Sequence, residues 1–190
     1  MSVILASGSP RRRELREMLR VPGLEIIPAR GEEHPPAHAT PEETVKALAR
    51  AKAREVAEHR PPEDVVIGAD TMVALHGALL GKPHSPEEAK DMLRALSGRS
   101  HEVWTGVCLI RGGQELVEAE RTAVRFRALS EREIENYTAT GEPLDKAGAY
   151  GAQGIGALLV EGIEGDFFNV MGLPLCRLGL MLKKMGVELL

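Results

Sequence analysis

Only two cysteines, Cys108 and Cys176, occur in the 190 residues of this chain. Neither lies in a metal-spacing motif, so a disulfide framework and a cysteine zinc site are excluded. Both are expected to be buried structural thiols in a reducing cytoplasm. No apolar run reaches membrane-spanning length. No signal peptide is expected, because Met1 leads directly into a short strand and an arginine-rich turn. An excess of basic charge is also missing: Lys and Arg number 24 against 28 Asp and Glu, a formal net charge of -4. Bulk attraction to nucleic acid is therefore not expected. The six histidines show no His-Glu-x-x-His spacing, no nucleophile elbow occurs, and the Gly-x-x-x-x-Gly-Lys-Ser/Thr phosphate loop is absent. No repeat, low-complexity tract or linker interrupts the chain.

What is present is a globular composition, 43% hydrophobic, at a length that suits one large domain or two small lobes. Its most informative stretch is Leu5-Ala6-Ser7-Gly8-Ser9-Pro10-Arg11-Arg12-Arg13. Here a short apolar run meets a helix whose first turn carries three arginines. A helix N-terminus bears partial positive charge and favours acids, so this is the unfavourable end for cations. Free N–H groups and guanidinium groups together make an anion-seeking pocket, with a phosphate chain as the first candidate.

Periodicity predicts strands at 3–6, 24–28, 65–67, 72–75, 78–80, 101–110, 115–126 and 157–163. Helices are predicted from Arg11 to Leu19, ending near Pro22-Gly23, and to about Glu58, Leu96, Thr140 and Met185. Three carry capping-box sequences that begin at Thr40, Ser85 and Ser130. Residues 145–156, rich in Gly and Ala, read as a loop with a helical turn. The sum is an α/β chain with a mixed sheet. The long hairpin in the second half would support a second lobe, with a cleft between lobes.

Several residues stand where chemistry is done, each beside a plainer structural reading. Asp70 follows a buried β-branched run, at the kind of strand end where α/β folds place their sites. It can hold a metal or deprotonate a water, or it can cap a turn with Thr71. Lys82, in Gly81-Lys82-Pro83, is a phosphate-binding point charge or an ordinary turn lysine. Glu32 and Glu33 are solvated loop acids or Mg²⁺ ligands. Lys46, Arg50 and Arg54 share one helical stripe, with Lys52 set off it. His101 belongs to a strand face shared with residues 103 and 105 and is expected to satisfy a local hydrogen bond. Gln153, in a Gly-rich loop, can read a base edge, although a tight connection is the default for such a loop.

Leu5-Ala6-Ser7-Gly8-Ser9-Pro10-Arg11-Arg12, Ile67-Gly68-Ala69-Asp70-Thr71, Gly81-Lys82-Pro83, Leu96-Ser97-Gly98-Arg99-Ser100-His101, Glu142 to Gly151 and Val170-Met171-Gly172-Leu173-Pro174 together resemble the Maf family, in order and over essentially the whole chain. The resemblance implies one domain over 1–190, with an elongated mixed β-sheet, flanking helices and two lobes around a cleft, similar to inosine triphosphatase. It implies a cytoplasmic nucleoside triphosphate pyrophosphatase that yields a monophosphate and pyrophosphate, needs a divalent metal (Mg²⁺ or Mn²⁺) and forms homodimers. Asp70 matches the proton acceptor. Ser7, Arg11, Arg12, Glu33, Lys52 and Lys82 match positions around the phosphates and metal, with Asp70 as a further metal ligand. Arg11, Thr71 and Gln153 match the positions of base choice and carry the residues of the branch acting on dTTP and UTP, or on modified pyrimidine triphosphates, rather than on 7-methyl-GTP. The alternatives are a non-catalytic nucleotide-binding regulator of cell division and septum formation, and a phosphatase that releases inorganic phosphate.

Overall fold

The computed structural model describes residues 1–19, Val21 and 23–190. The apolar opening run forms β1 (Val3–Ala6), buried at every position. Helix α1 (Pro10–Leu19) follows, then β2 (Glu25–Ile26), shorter than the strand expected over 24–28. The helix stop expected at Pro22-Gly23 involves Pro22, which lies outside the described residues. β1 runs parallel to β2 and to β3 (Val65–Leu75), with Ala6 paired to Gly68. β4 (Ala78–Leu80) returns antiparallel to β3 through His76-Gly77, both at positive φ. β5 (Ser100–Arg111) and β6 (Gln114–Phe126) are joined at Gly112-Gly113, and β7 (Val160–Glu164) runs antiparallel to β6. The order β2-β1-β3-β5-β6-β7, with β4 beside β3, is a mixed sheet in an α/β chain, as expected.

Local capping chemistry sets the helix starts. Thr40 opens α2 (Pro41–Ala57) and Ser130 opens α4 (Glu131–Ala139) with reciprocal boxes to Glu43 and Glu133. The box expected at Ser85 is only half formed. Ser85 accepts from Glu88 N at the start of α3 (Pro86–Leu96), but the Glu88 carboxylate reaches past it to His84 N at 2.7 Å. Residues 142–159 hold three short 3-10 turns, the last of which (Ile155–Leu159) takes the beginning of the strand expected over 157–163. A five-residue α5 (Phe167–Met171) precedes α6 (Leu175–Lys184).

The chain divides into two compact units. The first comprises Met1–Asp70, Thr105–Glu120 and Gly172–Leu190, and the second Thr71–Trp104 and Arg121–Met171. In the first, Ala49, Ala53 and Val56 of α2 pack with Ile4, Ala6, Val66 and Cys108 of the strands. In the second, α3 and α4 enclose a core that includes Leu93, Leu96, Phe126, Ile134, Tyr137 and Tyr150. No helix among the described residues is long and apolar enough to cross a membrane.

Asp70 does not follow a strand. It lies inside β3, which runs unbroken for 11 residues, so the turn-cap reading with Thr71 is overturned. Gly68 reads as a breaker in the sequence, yet its role is packing. A Cβ there would stand 2.2 Å from the Ala49 carbonyl oxygen and 2.7 Å from Ala53 N. Gly106 on β5 likewise leaves room for Val45, whose carbonyl oxygen would be 2.2 Å from an added Cβ. Helix α2 therefore lies directly on bare strand backbone. Overpacking such a contact costs roughly 1–3 kcal/mol or more, so Gly68→Ala is expected to lose that order of unfolding free energy and to show a lower urea midpoint. Gly81→Ala, where nothing lies within 4 Å of the added carbon, is the control and should stay within about 0.5 kcal/mol of the parent. Equal midpoints for Gly68→Ala and the parent would show that α2 can lift off without cost.

Candidate active site

Gly68 and Asp70 share a face of β3, because strand side chains alternate. Since α2 covers that face through Ala49 and Ala53, its Lys52 reaches Asp70. Lys52 Nζ lies 2.5 Å from Asp70 Oδ1 and 2.8 Å from Glu33 Oε1. Glu33 comes from the loop after β2, and that loop is pinned to α2 by Glu55, whose carboxylate accepts from Arg30 N at 2.7 Å and Gly31 N at 3.0 Å. Glu55 is a contributor that the sequence reading missed, since nothing local links positions 25 residues apart. Of the paired loop acids, Glu33 joins the cluster, while Glu32 is exposed and faces His34 at 3.8 Å.

Asp70 is buried, and its Oδ2 has no hydrogen-bond partner among the described residues. Burial pushes its carboxyl above the ordinary carboxylate value. Lys52 and Arg12 pull it back only in part, and Glu33 adds to the rise. An ion pair and an upward shift coexist because desolvation outweighs the attraction. An unpaired, desolvated carboxylate oxygen is a proton acceptor in search of a donor.

At the carboxyl end of β1, Ser7 and Arg12 meet beside this cluster. Arg12 is buried. Its Nε donates to the Gly172 carbonyl at 2.7 Å and its Nη1 to Ser7 Oγ at 3.3 Å. Burial lowers its pKa, opposed by Asp70 and Glu33, and a guanidinium remains charged under such a shift. The three arginines of the first turn are thus not equivalent: Arg12 is turned inward, Arg11 is half-buried and Arg13 is exposed. Gly172, at φ 112°, supplies the carbonyl that aims Arg12; its motif was visible in the sequence, its contact was not.

Thr71, Lys82 and Gln153 belong to the second unit. Thr71 is half-buried on β3, whereas Lys82 and Gln153 are exposed. Gly148 N donates to the Gly81 carbonyl at 3.1 Å, and an added Gly148 Cβ would meet Val73 Cγ2 at 2.8 Å. The Lys82 turn, β3 and the glycine-rich segment leading to Gln153 are thereby joined. His101 Nε2 lies 2.8 Å from the Tyr150 hydroxyl, a partner 49 residues away rather than a local one. Burial pulls its pKa to about 4, so the ring is neutral at pH 7.

One expectation fails. Cys108 is buried, with its thiol pushed up to about 12 by desolvation, but Cys176 is exposed because it falls on the outer face of α6. On the basic stripe of α2, Arg50 and Arg54 both bind Glu115 of β6, each at 2.8 Å, while remaining open to solvent. No group of three or more His, Cys, Asp or Glu placed to hold a metal occurs among the described residues.

The family model described as Maf-like protein matches residues 2–185. A curated relative from Moorella thermoacetica named dTTP/UTP pyrophosphatase is 54% identical over 188 residues, 98% of this chain and 96% of its own length. One of the same name from Bacillus cereus is 47% identical over 186 residues, with the same coverage. Among solved structures, a nucleoside-triphosphatase / dITP/XTP pyrophosphatase from Mycobacterium abscessus is similar at 21% identity and TM-score 0.44, covering 66% of this chain and 73% of that one.

The cluster makes one electrostatic prediction. Lys52→Met removes the chief attraction that holds Asp70 down, so the Asp70 pKa should rise further above its ordinary value. Because the folded-state value already exceeds the unfolded one, ionising Asp70 costs stability as pH rises through it, and the variant should lose more stability over that window. Carboxyl-carbon NMR titration of the ligand-free protein reads the shift directly. A midpoint that falls or stays put would refute Lys52 as the main countercharge.

Proposed function

The chain belongs to the Maf family, and on that footing we propose that it hydrolyses dTTP and UTP between the α- and β-phosphates, releasing the nucleoside monophosphate and pyrophosphate. The names of relatives at 54% and 47% identity over nearly the full chain support this reading. The observation that carries it is Asp70: a buried carboxylate with an unpartnered Oδ2 and a raised pKa, among Lys52, Arg12 and Ser7. A regulator that only binds nucleotide needs no such base.

The chemistry asks mainly for positioning and charge stabilisation. Asp70 takes a proton from the attacking water. The water oxygen bonds to the α-phosphorus, the bridging P–O bond breaks, and its electron pair leaves with pyrophosphate. Arg11, Arg12, Ser7 and the N-terminus of α1 bind the phosphate chain. Lys52 and Lys82 offset the charge that grows on the leaving group. Arg11, Thr71 and Gln153 select the base.

A divalent cation, Mg²⁺ or Mn²⁺, fits the residues present. The Asp70 and Glu33 carboxylates offer hard oxygen donors. Mg²⁺ is commonly bound by one or two carboxylates, with substrate phosphates completing its shell. Glu33 and Asp70 would hold it, and when bound it supplies neutralisation of the phosphate oxygens. A cytoplasmic location fits the nucleotide pool that such an enzyme would draw on, and a second copy of this chain is the partner we expect.

Three outcomes are expected. With dTTP or UTP and Mg²⁺, pyrophosphate forms in step with the monophosphate and no inorganic phosphate accumulates; inorganic phosphate as the first product would make the protein a phosphatase. Asp70→Asn should lose about 100- to 10,000-fold in kcat while still binding nucleotide, and near-parental turnover would remove Asp70 from the mechanism. In the metal-free protein Asp70 should titrate above the ordinary Asp value of about 3.9, because burial raises its pKa, and a carboxyl-carbon NMR midpoint at or below that value would remove the desolvation argument.

A further inference from the structure

The segment 151–156 carries Gln153 exposed near its middle. Both ends are tied to a pair of side chains on and just after α4. Glu142 Oε1 accepts from the Tyr137 hydroxyl at 2.8 Å and from Gly156 N at 3.0 Å. Glu142 Oε2 accepts from Ile155 N at 3.0 Å. The Tyr137 oxygen in turn accepts from Gly151 N at 3.0 Å. Glu142 is itself fixed, its N–H on Thr140 Oγ1 at 3.2 Å and its carbonyl on Lys146 Nζ at 2.8 Å.

The glycines of the segment serve this contact. A Cβ at Gly154 would lie 2.4 Å from Glu142 Oε2, and one at Gly156 would lie 2.6 Å from the Tyr137 oxygen. The close approach that the glycines permit is therefore to Glu142 and Tyr137. Burial raises the Glu142 carboxyl, but the hydrogen bonds from Gly156, Tyr137 and Ile155 outweigh it and keep the group ionised at neutral pH. Bonds to an ionised acceptor are the stronger kind. Two of the three on this carboxylate come from Ile155 and Gly156 of the segment, and the third fixes the Tyr137 hydroxyl, which takes Gly151 N at the other end.

We propose that Glu142, with Tyr137, is a specificity-positioning residue: it clamps the 151–156 segment so that the Gln153 amide meets the nucleotide base in one orientation. The proposal rests on the reading of Gln153 as a base reader. A preorganised amide discriminates between bases, and a mobile one forfeits part of that discrimination. Glu142 touches no reacting atom, so its effect passes through Gln153 alone.

The test is a double-mutant cycle of parent, Gln153→Ala, Glu142→Gln and the double variant, with kcat/KM measured for dTTP and CTP. Glu142→Gln keeps the shape but sets an amide NH₂ against a backbone N–H. The dTTP-to-CTP preference should fall about fivefold to tenfold, the scale of one to two hydrogen bonds, with the loss in KM rather than in kcat. The double variant should show no loss of preference beyond that of Gln153→Ala. An unchanged preference in Glu142→Gln, or losses that multiply in the double variant, overturns the clamp. An unchanged preference in Gln153→Ala overturns instead the base-reading role and, with it, the premise of the proposal. If Glu142→Gln does not fold, Tyr137→Phe removes only a hydroxyl; it should lower the preference in the same direction and speed amide exchange at Gly151 and Gly156. No change in either measurement sinks the proposal equally.

Discussion

The direct seating of α2 on strand backbone is the constraint from which the first unit's chemistry follows. Where an added carbon would stand 2.2 Å from a helix carbonyl, at both Gly68 and Gly106, only hydrogen fits. The helix comes close enough for an ammonium on a four-carbon stem to sit against a carboxylate on the strand. The same closeness removes water from Asp70. One packing fact therefore produces both the Lys52–Asp70 pair and the desolvation that overrides it. A bulkier contact would lengthen the ion pair and admit solvent, and the carboxyl would drift back toward its ordinary acidity.

The cluster around Asp70 balances opposed terms. Two acids, Asp70 and Glu33, share one ammonium, and a buried guanidinium stands near both. Arg12 is committed to Ser7 and to the Gly172 carbonyl, so its charge is held in one place in the ligand-free molecule. Fixed charges cost no reorganisation at the moment of reaction, which is where electrostatic catalysis gains most. Burying them is expensive on its own, and their mutual compensation makes the arrangement tolerable.

What the sequence disclosed and what it concealed divide by distance along the chain. The reciprocal caps at Thr40 and Ser130 involve residues three apart, and both were legible. The hairpin at Gly112-Gly113 was equally local. The continuity of β3 was hidden, because Gly68 looks like a breaker until the helix lying on it is seen. Cys176 was expected to be buried like Cys108, although helix periodicity turns it outward. Family resemblance brought Asp70, Glu33 and Lys52 together on paper. It did not reveal that Glu55 ties down the Glu33 loop, that Gly172 aims Arg12, or that Tyr137 and Glu142 grip the two ends of the segment 151–156. Those contacts are made by backbone groups, and backbone groups leave no signature in a string of side chains.

The run Gly68-Ala69-Asp70 looks like a single motif, yet it superposes two unrelated selections. Exchange of Gly68 is opposed by sterics wherever a helix lies this close on the strand, whether or not the protein is active. If Asp70 is the base we propose, its exchange is barred only while the reaction matters. A descendant that lost catalysis would be free to change the acid and obliged to keep the glycine. Decay of the second position against persistence of the first would therefore mark a lineage that had kept its architecture and abandoned its chemistry.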